Sequence, residues 1–418
     1  MGGHLDVVKF LVENKADVNH TSLPLLTALQ DQYHGHVDIA RILIENGANV
    51  NVQVNQNTPT PPLHLAIINN HFELVPLLLE KGAKTEVRDR LRETPLHHAI
   101  NKMHEETIEI LVKHKADVNA AYPSPTSGIT PFLKVMENFQ SSYIPKLMLR
   151  ADAHVNISNY YTKETPLHFA IKQEHADEDL VRMLIERGIE IDAKDCQGRT
   201  ALHFAANYCY HEISLILLKN GSNVNLKDSE MKTPLHFAIE SGSCAVIEYL
   251  IDYGANIKYL NTSTKDSPIH FAVKQNSQIA EDVIKLLIEK GVEINAQDYL
   301  CRTPLHFAIN NENEETALCL IRLGADVNLQ DCEMKTPLHY AVENVMVSLI
   351  ENLIDHGANI NVPDCLHNTP LFIAHKMEDM KLMKILFLRS LKKKCFKHQP
   401  IMFNSSLHLL SKIAVIKY

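Results

Sequence analysis

At 418 residues, with 45% apolar and 22% charged side chains, the chain has the composition of a folded protein and the length of two or three globular domains. No run approaches 18 consecutive apolar residues, so no transmembrane helix is expected; the start, Met1 to Asp6, has no basic-then-apolar leader, and Asp6 stands where a myristoylation site needs Ser or Thr. The net charge of −9 is uneven, because residues 389–418 hold seven of the 41 Lys and Arg and no acid; the 34 bases and 50 acids that remain make an acidic body that disfavours nucleic-acid phosphates.

The first predicted element is a helix from Leu5 to Asn14, which reads as the second half of a two-helix unit without its first. Half a unit leaves the next pair partly uncovered, so the natural chain is expected to begin further upstream. From Leu23 onward the sequence repeats. Thr-Pro-Leu-His begins at Thr94, Thr165, Thr233, Thr303 and Thr336, with near copies at Pro61, Thr130, Thr200, Ser267 and Thr369 and a remote one at Leu23. Successive anchors are 33 to 38 residues apart, a step that overrides any count of globular domains.

Each anchor reads as a helix start. Thr or Ser supplies a hydroxyl that accepts from an orphan N–H of the first turn, and Pro follows where no N–H is needed. Alanine closes ten anchors (Ala28, Ala66, Ala99, Ala170, Ala205, Ala238, Ala272, Ala308, Ala341 and Ala374), small enough for a neighbouring helix to come close. A second helical pattern follows, for example Ile247, Leu250 and Ile251, or Ile350, Leu353 and Ile354. It stops at a glycine such as Gly47, Gly188, Gly324 or Gly357. An Asp five residues before the next anchor (Asp195, Asp228, Asp298, Asp331, Asp364) then marks a turn.

This unit resembles the ankyrin repeat, whose 33-residue motif carries T-P-L-H-x-A. The likeness is close at Gly198-Arg199-Thr200-Ala201-Leu202-His203-Phe204-Ala205 and at Thr303-Pro304-Leu305-His306-Phe307-Ala308 with Gly324-Ala325-Asp326-Val327-Asn328, and it covers residues 1–388. The resemblance implies an all-α repeat solenoid of about eleven units, antiparallel helix pairs joined by β-hairpin or turn fingers, elongated, with a concave side. It also implies that the anchor histidines (His64, His97, His168, His203, His236, His270, His306, His339) hydrogen-bond between repeats. They are expected in a row, not gathered on one metal ion.

Departures cluster in the first half. Lys15, Lys115 and Asp152 take the glycine stop position. The unit at 130–156 has Leu133 and Val135 in place of His and Ala, after the breaker-rich connector Pro123 to Gly128. A loosened joint is expected between 120 and 160. Residues 389–418 form a separate basic and apolar tail, read as a cap or solvated helix end, with a nuclear signal or acidic-lipid contact as alternatives.

Catalytic signals are missing: there is no G-x-G-x-x-G, P-loop or G-x-S-x-G. His104-Glu105 and His211-Glu212 open like a zinc-protease helix but lack the second histidine, and both read as solvent-facing helix residues. Cys209 and His211 have no orienting third group. The eight cysteines include no C-x-x-C pair; Cys332 and Cys365, equivalent in adjacent repeats, should lie about 10 Å apart, too far for a disulfide. Reduced thiols, no metal and no cofactor are expected.

The resemblance places partner-facing residues on the fingers and the exposed ends of the first helices. These are Gln197, Arg199, Asn207 and Tyr208; Glu230, Lys232 and Glu240; Tyr299, Arg302 and Asn310; and Glu333, Lys335 and Glu343. Both charge signs mixed with Tyr suit a folded protein partner. The expected function is a non-catalytic, monomeric protein-interaction scaffold, cytoplasmic or nuclear, binding neither nucleic acid nor membrane except through the tail. The alternatives are a ubiquitin-ligase substrate receptor recruited through the tail and a secreted or membrane-acting effector.

Overall fold

In the computed structural model, each of the eleven anchors is followed at once by a helix, from Pro24–Gln30 to Pro370–Lys376. The structure describes residues 5–20, 23–30, 36–52, 60–122, 129–138, 141–258, 264–275 and 277–392. Each first helix is partnered by a second, as Pro304–Asn310 is by Glu314–Arg322, and Leu5–Glu13 stands as the predicted second helix without a first. The described residues contain 23 α-helices, one turn of 3₁₀ helix at Phe72–Leu74 and no strand, so the fingers take the turn form. No described helix is long and apolar enough to cross a membrane.

The chain divides into two units, Met1–Ala201 and Leu202–Tyr418. Within each, first helices pack on first helices of the next repeat and second on second, so the apolar side of one pair is covered by its neighbours. All ten anchor alanines are buried. In one repeat Leu305, Ile309, Leu320 and Ile321 are withdrawn from water, each burial stabilising by roughly 1.5–3 kcal/mol. Leu5–Glu13 buries none of its residues.

The anchor chemistry is a reciprocal cap. At Thr94, Thr165, Thr233, Ser267, Thr303 and Thr336 the hydroxyl accepts from the backbone N–H three residues on, and the histidine there accepts from the anchor's own N–H. Histidine thus fills the place that Glu or Gln takes in the usual capping box. Thr369 caps Phe372 alone, and Thr130 caps Leu133 alone.

The second helices end on a left-handed residue. At Gly324 (φ 93) the N–H donates to Ile321 O and that of Ala325 to Leu320 O. Lys15, Lys115 and Asp152 adopt the same conformation, at φ 64, 62 and 62, so the substitutions for glycine are tolerated with the backbone path unchanged. Beyond the stop, an asparagine makes a clamp that the turn signal alone did not reveal. Asn328 Nδ2 donates to Gly357 O at 3.1 Å, and its Oδ1 accepts from Asn359 N at 2.8 Å. Asn51, Asn119, Asn156 and Asn225 do the same across their own repeat boundaries.

Connector residues 123–128 lie outside the described residues, as does most of the predicted tail, from 393 on. The last helix, Met380–Lys392, runs past the boundary expected at 388, and Arg389 pairs with Asp355 and, at 3.8 Å, with Glu351.

Candidate protein-binding surface

A row of anchor histidines ties neighbouring repeats together. Backbone N–H groups donate to Nδ1, so the neutral ring carries its proton on Nε2 and donates onward. In the first unit, Nε2 of His64 reaches Glu93 O and that of His168 reaches Arg199 O, both at 3.1 Å. In the second, Nε2 of His203, His270, His306 and His339 reaches the carbonyls of Lys232, Arg302, Lys335 and Asn368 at 3.0–3.3 Å. Each bond ties a first helix to the residue just before the next anchor. Burial pushes His64, His236 and His306 down to about 4, and lowers His168, His270 and His339 as well. These imidazoles are neutral structural bridges, and no described group of three or more His, Cys, Asp or Glu is placed to hold a metal ion.

Two ring nitrogens of the anchor row lack hydrogen bonds, for separate reasons. His64 Nδ1 has none because its anchor is Pro61, which has neither hydroxyl nor N–H. His97 Nε2 has no well-formed bond; the Ala120 carbonyl faces it and the Tyr122 ring packs edge-on at 4.1 Å. The next anchor has Leu133 in place of histidine. Two successive bridges are therefore missing across the region where the sequence predicts a loosened joint.

The fingers are built on the turn aspartates. Oδ1 of Asp298 accepts from the N–H of Leu300 at 2.9 Å and of Arg302 at 2.7 Å, and Asp195, Asp228, Asp331 and Asp364 repeat the pattern. The third residue after each Asp is left-handed. Gly198 fits at φ 75, but Met231, Cys301, Met334 and His367 hold φ 64, 57, 58 and 62. Adjacent fingers are joined by single backbone bonds, such as Tyr299 N to Thr264 O at 2.8 Å and Cys365 N to Glu333 O at 2.9 Å.

Of the residues singled out from the sequence, Gln197 and Arg199 belong to the first unit and the other eleven to the second. Gln197 is exposed, whereas Arg199 is held by Asp195 through Nε at 2.9 Å and an ion pair at 2.8 Å. Arg302 is held by Asp298 in the same way, with Cζ 4.3 Å from the centre of the Phe307 ring. Lys232 lies between Glu230 at 3.5 Å and Glu240 at 3.2 Å, and Lys335 between Glu333 at 3.3 Å and Glu343 at 3.0 Å. Burial opposes the charge on both lysines, but their glutamates outweigh it and raise the pKa.

At four anchors the residue before the anchor and the residue eight later form a charge pair, of either sign. Where the first is Lys232 or Lys335, the second is Glu240 or Glu343; where it is Glu164 or Asp266, the second is Lys172 or Lys274. Where it is arginine, as at Arg199 and Arg302, the later residue is Asn207 or Asn310, both exposed. Most of the charges expected to meet a partner are thus satisfied by their own finger and helix.

The aromatic candidates are less engaged. Tyr299 is 69% exposed and Tyr208 42%, Tyr208 lying beside Phe204 and Tyr210. Sequence reasoning missed the finger tips. Met231, Leu300, Met334 and Leu366 in the second unit are all exposed, Leu366 by 74%, as are Leu91 and Tyr161 in the first. Their signal was an apolar or aromatic residue two or three places after the turn Asp or Asn. His104 also differs from expectation: it is the half-buried N-cap of Glu105–Lys113, accepting from Thr107 N and stacked on Phe72, and not a solvent-facing helix residue. His211 is exposed and meets Ser243 Oγ at 3.1 Å.

Stacked helix pairs, bridged by buried neutral histidines and bearing exposed turn fingers, define a class of protein-binding repeat arrays. Models of ankyrin repeats match residues 25–122, 133–228, 221–298 and 305–397, and a single ankyrin repeat matches 1–23. The chain belongs to the ankyrin-repeat family, whose repeats are protein-interaction modules.

Among relatives, it is 23% identical over 59% of its length to the ankyrin repeat protein L371 of Acanthamoeba polyphaga mimivirus. It is 31% identical over 37% to the nuclear factor NF-kappa-B p105 subunit of Gallus gallus, and 35% identical over 56% to the ankyrin repeat protein FPV115 of fowlpox virus. It covers 28%, 16% and 40% of those proteins' own lengths. Two solved structures align with 54% of the chain: the human ASB11 ankyrin repeat domain (28% identical, TM-score 0.46, 98% of that domain) and the Bcl-3 ankyrin repeat domain (27%, 0.49, 99%).

Proposed function

We propose that the fingers of the second unit form a docking surface for a folded protein partner, and that the chain is a non-catalytic interaction scaffold. Tyr299, Tyr208 and the tips Met231, Leu300, Met334 and Leu366 supply the apolar contact. The paired charges at Lys232, Arg302 and Lys335 form its polar surround, with Asn207, Asn310, Glu230, Glu240, Glu333 and Glu343, while Gln197 and Arg199 belong to the corresponding finger of the first unit. One observation carries the reading. Met231 and Met334 sit at positive φ, where glycine would be relaxed, yet their side chains are 55% and 48% exposed. Stability is given up to hold an apolar group in water, which marks a contact site rather than a fold requirement.

The test is proximity labelling or pull-down with the full chain and with two variants, Tyr208→Ala/Tyr299→Ala/Arg302→Ala and Met334→Gly. The partners lost should be the same for both, each recovered about tenfold less, as expected when an interface loses an anchor worth 1.4 kcal/mol or more. Met334→Gly should unfold no earlier in urea than the parent. An unchanged partner set from both folded variants would refute the proposal.

A further inference from the structure

Two cysteines from neighbouring fingers meet in the second unit. Cys301 occupies the left-handed third position after Asp298, and Cys332 follows Asp331 directly. The Cys332 N–H donates to Leu300 O at 3.0 Å, and its thiol lies 4.0 Å from Tyr299 O, so Cys332 is laid against the turn that carries Cys301. Leu300 is bonded to Cys301, so one hydrogen bond and the standard covalent lengths hold the two α-carbons within about 7 Å. A disulfide spans roughly 4.4–6.8 Å between α-carbons. Comparison of equivalent positions, Cys332 with Cys365, misses this pair because the meeting residues are offset by two places within the finger.

We infer that Cys301 and Cys332 are a modification site, a dithiol that closes to an inter-finger disulfide on reaction with glutathione disulfide. Both are free thiols in this structure, with Cys332 exposed and Cys301 half-buried. The neighbouring Cys301 thiol raises the pKa of the Cys332 thiol. The Cys301 thiolate attacks one sulfur of glutathione disulfide, forming a mixed disulfide and releasing one glutathione thiolate. Cys332 then loses its proton to solvent and attacks the Cys301 sulfur, releasing the second. The balance is two cysteine thiols and one glutathione disulfide to one protein disulfide and two glutathiones. The bond would close a loop around Pro304–Asn310 and Glu314–Arg322, stapling one repeat to the next whatever the surface binds.

The experiment treats the full chain anaerobically with glutathione disulfide at pH 8, alkylates the remaining thiols and maps the peptides by mass spectrometry. A linked Cys301–Cys332 peptide should dominate, short of two hydrogens and reversed by dithiothreitol. In Cys332→Ser the reaction should stop at the first step, so that glutathione on Cys301 accumulates at least about tenfold over the parent level. Circular dichroism of Cys332→Ser confirms that the variant is folded. Stable glutathione adducts on both parent cysteines, a Cys332–Cys365 link, or an unreacted pair would each overturn the inference.

Discussion

Lowering the pH from 7 to 5 should destabilise this protein through its buried histidines, well above the range in which carboxylates titrate. His306 is held neutral with a pKa of about 4, against an ordinary value of 6.5, because burial strips its imidazolium of water. The folded state therefore refuses a proton that the unfolded chain accepts below pH 6.5. Its contribution is complete above 6.5, declines as the pH falls, and is gone below 4. At pH 5 the difference in proton binding is worth about 2 kcal/mol for His306, and a similar amount for His64 and for His236. Asp177 shifts in the same direction, but its window lies lower. Burial opposes its ionisation, but bonds from Lys146 and Ser142 outweigh this and hold it at about 2, so its contribution is lost only as the pH falls from 3.8 toward 2. The two windows do not overlap. Urea unfolding followed by circular dichroism at pH 7, 6 and 5 should show a falling midpoint, and His306→Gln should remove about 2 kcal/mol of that pH dependence from the segment containing it. A midpoint constant from pH 7 to 5, or a His306 resonance titrating near 6.5, would refute the reasoning.

Asn328→Ala removes both bonds of its clamp and should cost about 1–2 kcal/mol in urea, whereas Asn328→Asp, which keeps the acceptor, should cost less; equal losses would contradict the two-bond clamp. Lys115→Gly relieves a left-handed lysine at φ 62 and should raise stability by up to roughly 1 kcal/mol, and a lower midpoint would show that the lysine stem contributes more than its backbone costs. With two histidine bridges missing there, amides of Pro131–Asn138 and Tyr143–Arg150 should exchange about tenfold faster than those of Pro304–Asn310 and Glu314–Arg322, and uniform exchange would remove the idea of a loosened joint.

The period, the helix starts and the stops were legible because each depends on residues within one turn of the chain. Thr303 and His306 cap the same helix three residues apart, and Lys115 keeps the glycine conformation because the stop is imposed by the last carbonyls of its own helix. The candidate site was legible only in outline. Its residues lie on the fingers and first helices, but Lys232 and Lys335 turned out to be satisfied internally, while the apolar tips drew no notice as isolated Met and Leu.

The amino-acid order by itself determined that helices pair, where they begin and where they end, because capping, backbone conformation and apolar spacing are local properties of a chain. Only the tertiary structure decided how one repeat registers against the next. That register leaves His97 without its bridge, aims Asn328 at Gly357 and lays Cys332 beside Cys301. Hydrogen bonds select their partners over a few tenths of an ångström, across an interface whose offsets no spacing along the sequence encodes.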